Sequence, residues 1–252
     1  MAKNINSAYR VKEILDTVRN NPDKTPAHEV WSAVFGLTET NPQKKNFAIS
    51  RCLADLHDEV EFVRSEMLKA GYTANLYEPT LNKCNSIFAV QLISAQWAQP
   101  KQQITPEVST ILGFCSEILP NEEDLIEPTN LEELSTMANE LRELLSKSTL
   151  PPYTIIVLEK HLAKIEEALS TYKIVGAKSL ETVVQFAYGE IIANKEVFED
   201  AKGSEELGKL SVIWQKTKTT LDGVTSANKR ISGVQGMAEK GHNLLELIGS
   251  II

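Results

Sequence analysis

Apolar residues recur along this chain at steps of three and four. The clearest run lies between Asn41 and Gly71, where Ile49, Leu53, Leu56, Val60, Val63, Met67 and Ala70 keep a seven-residue repeat. A repeat of that period is the signature of a helix that packs lengthwise against other helices. Asn41-Pro42 supplies an N-cap side chain and a proline at the first helical position. Gly71 supplies the residue that most readily takes the left-handed cap conformation. As a helix, residues 42–70 span about 43 Å, too long for one short neighbour to cover.

The same period predicts helices on both sides. A first helix runs from about Ile5 to Asn20, with Val11, Ile14, Leu15 and Val18 inward. Thr25-Pro26 opens a short second one, AHEVWSAVF, which Gly36 ends. After the long third helix, Pro79 opens a fourth through Leu81, Cys84, Ile87, Phe88, Leu92, Ala95 and Trp97. Thr105-Pro106 opens a fifth, ended by Pro120. Residues 120–130 form an acidic loop, and Asn130 with Glu133 resembles a capping box at the start of a sixth helix, with Leu134, Ala138, Leu141 and Leu145 as its stripe.

Pro151-Pro152 cannot lie inside a continuous helix, so residues 149–152 are expected to be a linker. Beyond it, Ile155, Leu158, Leu162, Ile165, Leu169 and Tyr172 form a second seam, and an eighth helix runs from about Ser179 to Ala201. No stretch alternates apolar and polar residues between turn signals, so no strand is predicted. The expected fold is all-α: a multi-helix bundle of about nine helices, with long coiled-coil-like members and a long Gly-rich C-terminal helix. The expected division is an N-terminal helical domain, 1–148, and a C-terminal bundle, 153–252.

The segment 204–252 departs from the rest. It keeps a helical stripe, yet it holds six of the 12 glycines, at 208, 223, 233, 236, 241 and 249. Each interior glycine costs a helix roughly 1 kcal/mol relative to alanine, so this segment needs close packing or a partner. Leu210, Trp214, Leu221, Ile231, Leu244, Leu245, Ile248 and Ile251 are its candidate interaction residues. They can close the protein's own core, join copies, or bind a membrane conditionally. The interspersed charges exclude a constitutive span.

Composition narrows the classes further. The net charge of −8 argues against nucleic acid, because phosphate recognition needs a concentrated basic face. Cys52, Cys84 and Cys115 are scattered and without zinc-ligand spacing, so they read as buried thiols in a reducing cytoplasm. No HExxH is present, the one ExxH spacing, Glu239 to His242, has no second ligand pair beside it, and no P-loop, GxGxxG or Gly-x-Ser-x-Gly is present. No metal, cofactor or catalytic set is therefore expected, and the partner is expected to be a protein, either a second copy or another helical chain.

One motif carries a resemblance. Arg51-Cys-Leu-Ala-Asp-Leu-His57 resembles the arginine–histidine motif of the helical HEPN ribonucleases over seven residues. The resemblance implies that Arg51 and His57 of two protomers converge on an RNA phosphate. The chain departs from that pattern at Cys52, apolar where the family has a polar residue. With Leu53 and Leu56 at heptad positions a and d, Arg51 falls at f and His57 at e, so they do not share a face. The leading expectation is a non-enzymatic adaptor, scaffold or regulatory subunit that self-associates. A membrane-active effector is second, and an HEPN-like ribonuclease third.

Overall fold

The computed structural model describes residues 4–124 and 126–225. Among them are eleven α-helices, nine of seven residues or more, and no strand. The chain is all-α, as its periodicity predicts. It forms two compact units.

Unit 1 takes the chain to Glu122 together with Lys173–Gly176. It contains α1 (Ser7–Arg19), α2 (Ala27–Phe35), α3 (Pro42–Lys69), α4 (Glu78–Ile87), α5 (Ala98–Lys101) and α6 (Pro106–Ile118). The third helix starts where its cap requires: the Asn41 side chain accepts from the amides of Gln43 and Lys44 at 3.0 and 3.1 Å. It ends at Gly71, whose φ of 79° is the left-handed region that favours glycine. Ile49, Leu53, Leu56, Val60, Val63 and Met67 are all buried, whereas Ala70 is exposed. The stripe is covered by α1, α2, α4 and α6 in turn. Several short helices thus share a seam that a coiled coil would give to one long partner.

The fourth predicted helix is shorter than its apolar pattern. It stops at Ile87, and residues 90–92 form a 3-10 turn. The backbone beyond pairs with the start of α2: Ala27 N–H donates to Ala95 C=O at 2.9 Å and Trp97 N–H to Thr25 C=O at 2.8 Å. This pairing drives Trp97 into the core, edge-on to Trp31 at 5.3 Å. Tertiary packing overrides the helical period here.

Unit 2 takes the rest of the described chain: α7 (Pro128–Leu145), most of α8 (Pro152–Val175), α9 (Lys178–Ala193), α10 (Lys195–Asp200) and α11 (Glu205–Thr225). The division therefore falls at Glu122/Glu123 and not at 149–152. The reason lies in α7, whose Leu134, Ala138, Leu141 and Leu145 enter the same core as Leu158, Leu162 and Ile165 of α8. The two prolines make a turn inside one bundle. Two further expectations are corrected. The helix at 128 starts at Pro128 with Glu127 as its cap residue, so Asn130 does not cap it. The expected helix 179–201 is two, broken at Asn194 with φ −121° and ψ 36°. Residues 226–252, with most of the Gly-rich segment, lie outside the described residues.

One buried cation organises unit 1. Arg10 is 7% exposed in the middle of the apolar face of α1. Its Nη2 donates to Glu59 Oε2 at 2.8 Å, to Glu122 Oε2 at 2.6 Å and to Ser7 Oγ at 3.2 Å. Its Nε donates to Ile174 C=O at 3.0 Å. Taking such charges out of water costs several kcal/mol per ion, which full pairing offsets. Arg10→Met removes the cation that Glu59, itself buried, depends on. Unit 1 should lose about 3–5 kcal/mol, read as a fall in denaturant midpoint, and Arg10→Met with Glu59→Leu should recover most of it. Leu56→Asp, at a fully buried position, should abolish the cooperative melting of unit 1.

Candidate functional site

The sequence candidates Arg51 and His57 are both exposed on α3. Six residues at about 100° each leave them about 120° apart around the helix. The structure does not bring the two together within the chain. His57 belongs instead to a polar network between α3 and α4. Its Nδ1 lies 2.9 Å from Asn85 Oδ1, and Asn85 Nδ2 donates to Glu61 Oε1 at 3.0 Å. The carboxylate fixes the Asn85 amide with its oxygen toward the ring, so Nδ1 is the ring nitrogen that donates.

Arg64 closes that network. Its Nε donates to both Glu78 oxygens at 3.0 Å, Nη1 donates to Glu61, and Nη2 donates to Asn82 Oδ1 at 3.0 Å. The Arg64 hydrogen bond holds the Glu61 carboxyl below the usual carboxylate range. A guanidinium so engaged has its fork turned to carboxylates, not to a phosphate. The network ties α3 to α4. Apart from the Glu61–Arg64 pair, three residues apart, its partners lie 14–28 residues apart, beyond the reach of helix-spacing arguments.

Unit 2 contains the second constellation. His161 of α8 is 1% exposed. Phe186 of α9, Phe198 of α10 and Trp214 of α11 meet its ring edge-on, at 5.0, 5.6 and 5.0 Å. Among the described residues no hydrogen-bond partner reaches His161 Nε2, Ser211 Oγ or Trp214 Nε1. Burial, and then the charge of Lys160, push the imidazole down to about 3. The sequence carried one signal for it: His161 continues the buried row Val157, His161, Ile165 at four-residue spacing.

Of the candidate interaction residues, Leu210 and Trp214 are buried and Leu221 is partly buried, all within the core of unit 2. The apolar surface of Leu210 and Trp214 is already covered by the unit's own helices. Ile231, Leu244, Leu245, Ile248 and Ile251 lie outside the described residues. Among the described residues no helix is long and apolar enough to cross a membrane, and no three His, Cys, Asp or Glu side chains gather as a metal site. No family model matches the chain, and no curated protein or solved structure is significantly similar to it.

The three cysteines are buried and free. Burial pushes the thiols of Cys52 and Cys84 up to about 12 and that of Cys115 up to about 11. The nucleophilic thiolate is therefore suppressed at neutral pH. Native protein at pH 7.5 should give no rapid reaction with a thiol-disulfide reagent, and three equivalents should react once it is unfolded in denaturant.

Proposed function

We propose that this protein is a non-enzymatic helical interaction protein, an adaptor, scaffold or regulatory subunit, and that it self-associates. The observation that supports this reading is an apolar surface at the end of α3. Gly71 closes the helix, and the Tyr72 amide donates back to Met67 C=O at 3.3 Å, a cap that holds the following residue in place. Tyr72 so held meets Phe114 of α6 edge to face, with ring centroids 6.1 Å apart. Both rings are exposed, at 38% and 42%, and Leu68 and Leu76 nearby in the sequence are exposed at 68% and 51%.

Exposed aromatic rings are of the composition enriched at interface cores. A side chain whose backbone is already held by a helix cap loses less entropy on docking, which favours association at Tyr72. The network around Arg64 secures α4 against the same long helix. No reacting group is needed for this role.

Light scattering over about a hundredfold range of concentration should show a mass above the 28.0 kDa of one chain. Leu68→Glu with Phe114→Glu should return the protein to a single-chain mass, with a melting temperature close to wild type because both positions are exposed. A wild-type mass that stays at one chain throughout would refute self-association.

A further inference from the structure

We propose that His161 and the three rings around it form an acid-sensitive latch that holds α11 in unit 2, and that proton uptake by His161 releases α11 from α7 and α9. The box draws one ring from each of three helices, so its packing is the junction of α8 with α9, α10 and α11. A proton arriving at Nε2 finds no acceptor there, since among the described residues that atom has no hydrogen-bond partner. The cation it creates would sit among aromatic side chains and out of water. Cation–π attraction offsets only part of that penalty.

The surrounding charges do not rescue it. On α8 the charge that reaches the ring is Lys160, of the same sign as the imidazolium. The Glu190 carboxylate of α9 is held by Lys160 Nζ at 2.9 Å, and Glu181 of α9 is half-buried with its carboxyl pushed up by burial. On α10, Lys195, Glu196, Glu199 and Asp200 are all exposed. On α11, Lys209 and Lys216 pair with Glu140 and Glu133 of α7, and Lys218 pairs with Asp222. None of these pairs supplies an acceptor to Nε2.

The element that gives way is α11. Gly208, Gly223 and its threonines weaken it, and Thr217 and Thr219 hydroxyls bond back to Ile213 and Gln215 carbonyls. Two of the polar atoms without a partner among the described residues, Ser211 Oγ and Trp214 Nε1, are its own. It persists through burial of Leu207, Leu210, Ile213 and Trp214. Loosening Trp214 therefore removes part of what keeps it wound.

The sign follows from linkage. The ring's folded value lies below its ordinary value near 6.5, so the open state binds the proton and the folded state does not. Stability is full above about pH 6.5 and falls as pH drops from there toward 3. At pH 5.0 the open fraction should rise about 30-fold over that at pH 7.5.

Hydrogen exchange of the full chain, corrected for intrinsic rates, tests this at pH 7.5 and 5.0. Peptides from α11 should exchange about 30-fold faster at pH 5.0, while α3 peptides stay unchanged, and His161→Leu should abolish the rise. The latch is overturned if wild-type α11 is equally protected at both pH values, if α3 opens in step with α11, or if His161→Leu keeps the rise. Ring carbon shifts of His161 by NMR give a second test that needs no variant. They should stay those of the neutral ring at pH 5.0, and titration near 6.5 in the folded protein would also overturn the latch.

Discussion

The arginine at position 10 is the constraint on which unit 1 depends. A guanidinium placed on the inward face of a helix must find its acceptors or the fold fails. Here it gathers them from α3, from the segment after α6 and from the carbonyl of Ile174. Apolar seams set how closely helices approach, and many registers satisfy them about equally. A forked cation with two carboxylates and a carbonyl satisfies only one. The leucine and valine rows of α3 supply the larger free energy, and Arg10 selects the arrangement.

The helices themselves were legible in the chain. The period of α3, its asparagine cap and its terminal glycine are local signals, and local signals survive folding when packing agrees with them. Where the sequence misled, a contact distant in the chain had won. Trp97 lies on a helical stripe, yet pairing of its backbone with residue 25 outweighs that period. The Pro151-Pro152 pair marks a turn correctly, but a turn is not a boundary, and only the sharing of leucines between α7 and α8 shows which it is. The polar centres were the least legible. Arg10 meets Ile174 across 164 residues, and His57 meets Asn85 across 28. No period connects such pairs.

The two buried basic side chains make opposite uses of the interior. Arg10 is charged and fully engaged, so its surroundings are rigid and specific. His161 is neutral and boxed by rings, so it behaves as a large apolar filler with one vulnerable nitrogen. A filler of that kind leaves its bundle sensitive to the solvent in a way that leucine would not. The contrast also explains why burial alone says little about a polar residue: its hydrogen bonds decide its effect.

That Ile174 contributes to unit 1 has a bearing on how the protein is made. The first six helices leave the ribosome well before the residue whose carbonyl completes the Arg10 centre, about fifty residues later. At about 5–20 residues per second, the nascent unit waits several seconds with that donor unanswered. During that interval its Nε–H is open to water, and synthesis of α8 ends the wait.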